Sequence, residues 1–199
     1  MVAVLAAIAM TPSAPVLIPE LAGSAAAEVA RFRDAAVAAA AALPQSWIAV
    51  GVGSADIVIG PDGRGTFDGF GVDVPVALSP QSGPPLTALP LCALFAGWLR
   101  GQANPSAVVQ VRVYDATHDV DAALGFGRAL RAEIDASDVP TGVLVVADGA
   151  TTLTPTAPGG YEPDTLPLQS ALDDALAGGD CGALARLPDR ISGRVAYQV

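Results

Sequence analysis

The sequence predicts an α/β fold: one domain with a largely parallel central sheet flanked by helices. Three observations carry this. Val2–Ala9, Ser46–Val52, Ala107–Tyr114 and Thr141–Ala147 are short apolar runs with the length of buried strands. Segments with apolar residues at helical spacing separate them, and that alternation implies parallel strands joined by helical crossovers. The 199 residues, 52% of them hydrophobic, suit a single domain over 1–199 with a substantial core.

Element by element, Val2–Ala9 reads as a buried first strand, and Thr11–Gly23, with three prolines, as a loop. Ser24 caps a helix to about Leu43, with Val29, Phe32, Ala36, Ala40 and Leu43 on its inner face. Ser46–Val52 is the second strand, and Ile57–Ile59 adds a short one. Pro61–Pro85, rich in glycine and proline, wraps the surface, with Val72–Leu78 extended. Leu86–Leu99 reads as a buried helix, apolar nearly all round, that Pro90 should kink or shift. Ala107–Tyr114 is the third long strand. Asp119 caps a helix to about Ala136, with Val120, Leu124, Gly127 and Ile134 facing inward. Thr141–Ala147 is the fourth, and helices follow at Asp164–Leu176 and Cys181–Leu187. Trp47 and Trp98 fall in apolar runs and belong to the core.

Charge and composition exclude several classes of function. The formal net charge is −10, and all ten basic residues are arginine. Nucleic acid and anionic membrane surfaces, which need clustered positive charge, are poor partners for such a chain. No apolar run reaches the roughly 18 residues that a membrane span needs. The apolar start lacks a basic flank, since the first arginine is Arg31, and prolines follow it at 12, 15 and 19. A cytoplasmic protein is expected. Cys92 and Cys181 lack metal-type spacing and are expected to be free.

In open parallel sheets ligands bind beyond the carboxyl ends of the strands. Four segments occupy that edge: Thr11–Pro15, Gly53–Asp56, Asp115–Asp119 and Asp148–Thr152. The chain has a single histidine, His118, so no site with two or three histidines can form. His118 lies among Asp115, Asp119 and Asp121, where it could bind a metal or act as a base. Each aspartate also has a structural use, as turn former, helix cap and first-turn acid. Ser54 follows Gly51-Val52-Gly53, but the glycines of a nucleophile elbow are missing, and Asp56 breaks the dinucleotide pattern. Asp148 can direct a carboxylate to the edge. Glu20 is a nearby acid whose simpler role is a solvated residue at the start of a helix.

Several stretches, in order, resemble the class III extradiol ring-cleavage dioxygenase superfamily, specifically its small, uncharacterised bacterial branch. They are Thr11–Leu21, Trp47–Ser54, Phe67–Asp73, and Val146–Gly149 with Ala157–Tyr161 after it. The resemblance implies a catalytic-subunit-like fold and an Fe(II) site of two histidines and a glutamate, with a further histidine as acid/base. It places those histidines at Ser13, near Ser54, and within Thr151-Thr152-Leu153, so this chain lacks the ligand set. No glutamate ligand can be placed, and the resemblance suggests a chain shortened after Val199. It also leaves homo-oligomerisation open, with Leu86–Leu99 contributing to an interface, although a buried core helix is the simpler role.

A non-catalytic or repurposed member of that fold is therefore expected, with a degenerate site and no metal or cofactor. It would bind a small molecule or a protein partner at a strand-edge cleft lined by Ser13, Glu20, Ser54, Asp115, His118, Asp148, Thr151 and Thr152. The alternative is a metal-independent hydrolase or transferase using His118 with Asp148 and Ser13 or Ser54. An active Fe(II) dioxygenase is the third and least favoured.

Overall fold

The apolar runs become the parallel strands of one sheet in a computed structural model, which describes residues 5–81, 83, 85–157 and 160–187. Val2–Val4, the Pro158-Gly159 pair and the chain end at Val199 lie outside the described residues. In chain order the elements are β1 (Leu5–Thr11), α1 (Pro19–Ala22), α2 (Ala30–Ala41), β2 (Ser46–Gly53), β3 (Ile57–Ile59), β4 (Arg64–Thr66), β5 (Pro75–Ala77) and α3 (Leu91–Ala103). Then come β6 (Val108–Asp115), α4 (Val120–Asp135), β7 (Thr141–Val146), α5 (Thr165–Gly178) and α6 (Cys181–Leu184). The fold is α/β, with a five-stranded sheet ordered β1-β7-β2-β6-β3. β1, β7, β2 and β6 are mutually parallel, and β3 is antiparallel to β6.

The described chain divides into two compact units, one from residues 1–118 with 125–148, the other from 119–124 with 149–199. The first holds the sheet. β2 lies inside it, and successive residues face opposite ways, so both faces must be covered. Trp47 and Ala49 enter one cluster with Val109, Val111 and Val113 of β6, Leu144 and Val146 of β7, and the buried residues of α2 and α3. Ile48 faces the other side, where it packs with Val143 and Ile134, and Leu130 of α4 joins them. The Trp47 indole N–H is satisfied by the Pro44 carbonyl. In the second unit α5 packs against α6, and Asp180 caps α6 by accepting the Ala183 N–H at 2.8 Å.

The elements differ from the sequence reading in instructive ways. β1 is an edge strand rather than a fully buried one: Ala9 and Thr11 are buried, whereas Ile8 and Met10 are 58% and 48% exposed. Burial alternates along β1 although its sequence is apolar up to Met10, because successive side chains point to opposite faces and one face is uncovered. Pro90 does not interrupt a helix; with ψ at 151° it is the N-cap of α3, because its ring cannot continue a helix begun upstream. From Cys92 to Arg100 every residue of α3 is buried, so this is the core helix that its uniform apolarity implied. Ser24 caps nothing: a 3-10 turn covers Gly23–Ala27, and α2 starts at Ala30. Phe32 is 52% exposed and carries the Arg31 guanidinium 4.5 Å above its ring. On α4, Leu124 is 42% exposed and Gly127 is exposed as well. The covered face instead runs through Phe126, Leu130 and Ile134, four residues apart and so on one side of the helix.

At Gly51 the sheet and the core helix approach closely. A β-carbon there would lie 2.4 Å from Cys92 Cβ and 2.8 Å from its Sγ, and the Val146 carbonyl would be 3.3 Å away. Only glycine lets α3 sit this near β2. Gly51→Ala is expected to cost about 1–3 kcal/mol as overpacking in denaturant unfolding. Gly101→Ala, on α3 with no atom within 4 Å of the added carbon, is expected to gain about 0.5–1 kcal/mol from helix propensity.

Candidate functional site

Parallel registration places the ends of β1, β7, β2 and β6 along one sheet edge. The residues there fall into two hydrogen-bonded groups within the first unit. Ser13, buried just beyond β1, donates its backbone N–H to Asp148 Oδ1 at 2.8 Å, joining the segments that follow β1 and β7. Burial raises the Asp148 pKa above its ordinary value, and the Ser13 bond pulls the other way. Thr11 is also buried, and its hydroxyl has no hydrogen-bond partner among the described residues.

The second group lies between β2 and α4. His118 Nε2 sits 2.9 Å from both carboxylate oxygens of Asp56, with the two side chains 32% and 50% exposed. Asp56 Oδ1 also accepts the Asp115 N–H at 2.7 Å. Those two bonds, the backbone one foremost, hold the Asp56 carboxyl below the usual aspartate range. Asp115 in turn accepts the Thr117 hydroxyl at 2.6 Å and the Thr117 N–H at 2.8 Å, and its pKa is lowered in consequence. The His118 ring meets Phe126 edge-on at 4.8 Å between centroids, and Tyr114 stacks on Phe126 at 4.4 Å. Partial burial raises the Tyr114 pKa, so its hydroxyl is neutral near physiological pH.

The candidates named from sequence therefore separate. His118 pairs with Asp56, whereas Asp148 bonds to the Ser13 amide. Ser54 is exposed and Glu20 is exposed in the first turn of α1. Asp119 accepts the Ala122 N–H at 2.8 Å and so caps α4, and Asp115 forms the turn its position suggested. Thr151 and Thr152 belong to the second unit, where the Thr152 hydroxyl bonds to that of Thr165 at 3.0 Å. Sequence reasoning missed Asp56 and Phe126. In sequence Asp56 stands only as the residue that breaks the dinucleotide pattern, although a carboxylate just beyond a strand end, with the lone histidine just beyond another, is a signal.

The Fe(II) site that the family resemblance implies does not fit these residues. Ser13 and Ser54 offer hydroxyls where imidazoles are required, and Asp148 is engaged by a backbone amide. Among the described residues no group of three or more histidine, cysteine or acidic side chains is placed to hold a metal ion. Cys92 is buried, and burial pushes its thiol pKa up to about 11, leaving it protonated and a poor ligand. No protein-family model matches the chain, and no curated protein matches it.

Asp148→Ala leaves the buried Ser13 N–H without its carboxylate, and a loss of about 1–3 kcal/mol in unfolding free energy is expected. Asp148→Asn, which keeps an acceptor oxygen, should lose less. Asp56 and Asp115 act oppositely to Asp148 with pH. Their folded pKa values lie below the ordinary aspartate value, so their stabilisation is present above that value and disappears as pH falls through the folded values. Asp56→Asn should flatten the acid limb of a stability–pH profile measured by denaturant unfolding.

Proposed function

We propose that the chain is a non-catalytic or repurposed protein of the class III extradiol dioxygenase type, which binds a small molecule or a protein partner at the carboxyl edge of its sheet. The observation that carries this is the Ser13–Asp148 bond. At the position where the resemblance calls for an iron-binding imidazole stands a buried serine whose backbone is held by a carboxylate. A carboxylate committed to a backbone amide is stable without a metal, and the single histidine of the chain lies elsewhere. The α/β sheet and its parallel strand ends support the edge as the binding place, since open parallel sheets take ligands there. Three acidic side chains at or just beyond those strand ends, Asp56, Asp115 and Asp148, favour neutral or cationic ligands over anionic ones.

A second function is favoured by the His118–Asp56 pair: a metal-independent hydrolase or transferase with His118 as base. Its carboxylate partner is Asp56 in place of Asp148, and neither Ser13 nor Ser54 bonds to His118 among the described residues.

Iron loading tests the first function. Protein incubated anaerobically with Fe(II) and then desalted is expected to retain far less than stoichiometric iron by elemental analysis, and to leave catechol unchanged. Stoichiometric iron together with ring-cleaved product would overturn it.

A further inference from the structure

We infer that Asp56 is the positioning residue of a His–Asp dyad, fixing His118 in the Nε2–H tautomer and presenting the Nδ1 lone pair as a proton acceptor. This rests on the hydrolase function above and names the atom and the partner that it needs. The geometry is specific. Both Asp56 oxygens lie 2.9 Å from Nε2, and a carboxylate only accepts, so Nε2 must carry the proton. Nδ1 has no hydrogen-bond partner among the described residues. The ring cannot turn freely, because Phe126 meets it edge-on and is itself stacked on Tyr114. Asp56 is held in its turn by the Asp115 N–H at 2.7 Å. The His118 side chain keeps 32% of its surface exposed, so small molecules can reach it.

Base and orienting carboxylate are two of the three parts of a hydrolytic triad, without the nucleophilic side chain. The nucleophile such a dyad can serve is water, and the substrate class is a small activated ester. Nδ1 takes a proton from water as the water oxygen bonds to the ester carbonyl carbon. The carbonyl–oxygen bond to the leaving group then breaks, the alkoxide or phenolate departs with the electron pair, and the imidazolium returns its proton to solvent. Nothing is oxidised or reduced. The acidic neighbours, Asp56 and Asp115, favour esters that are neutral or cationic.

Nitrogen-15 NMR of the full-length chain tests the tautomer directly, since a single histidine makes the imidazole signals unambiguous. For the neutral ring the expected spectrum shows a protonated Nε2 and a lone pair on Nδ1. Asp56→Ala, which removes the acceptor, should move both resonances toward the mixed values of free histidine. A wild-type ring that is mixed or protonated at Nδ1 overturns the inference, and so does a ring unaffected by Asp56→Ala. In parallel, p-nitrophenyl acetate hydrolysis by the same protein is expected to fall several-fold in Asp56→Asn and to lose most of its protein-dependent rate in His118→Gln. If the ester rate ignores His118→Gln while the Nε2–H tautomer holds, the hydrolase function fails and the positioning role of Asp56 stands.

Discussion

The insertion of β7 between β1 and β2 is the constraint on which the rest depends. β1 and β2 do not pair with each other; β7 lies between them and pairs with both, and β2 pairs with β6 on its other side. β7 therefore completes the sheet that β1 and β2 begin, and its parallel direction brings Asp148 beside Ser13. It also gives Val143 and Leu144 opposite faces to fill, one against Ile134 of α4 and the other in the cluster with α3. Long-range parallel pairing of this kind carries a loop-closure cost that only burial on both faces repays.

Along the sheet edge, carboxylates are spent on backbone amides. Asp148 holds the Ser13 N–H, Asp56 the Asp115 N–H, Asp115 the Thr117 N–H, and Asp119 the Ala122 N–H. Each satisfies a donor at a strand end or helix start that the sheet or helix leaves unpaired. A charge placed this way stabilises the turn and is correspondingly less available as a metal ligand. His118 is the exception, since its Asp56 contact leaves one ring nitrogen unengaged.

Much of the sheet was legible because β2 and β7 are apolar on both faces, a pattern that interior parallel strands need. β6 instead alternates, with Val109, Val111 and Val113 buried and Gln110 and Arg112 on the other face, and Trp47 and Trp98, at 1% and 5% exposure, are core residues as expected. The edge was less legible. Nothing local distinguishes Val2–Ala9 from a buried strand; Ile8 and Met10 are exposed because of strand order, which is a tertiary fact. Leu86, Ala88 and Leu89 ahead of Pro90 extend the hydrophobic run of α3 without being helical, so the helix start was not legible. The structural uses of Asp115 and Asp119 were readable from position alone. The partners of His118 and Asp148 were not, because Asp56 lies 62 residues before His118 and Ser13 lies 135 before Asp148. Short-range spacing carries no information about such pairs.

The claim that joins these observations is that a partly buried Asp148 carboxylate occupies itself with the Ser13 amide. A pH titration of the Ser13 amide proton resonance reads this most directly. The account predicts a single large shift with a midpoint above the ordinary aspartate range, absent in Asp148→Asn. A Ser13 amide that does not move as Asp148 titrates would contradict it.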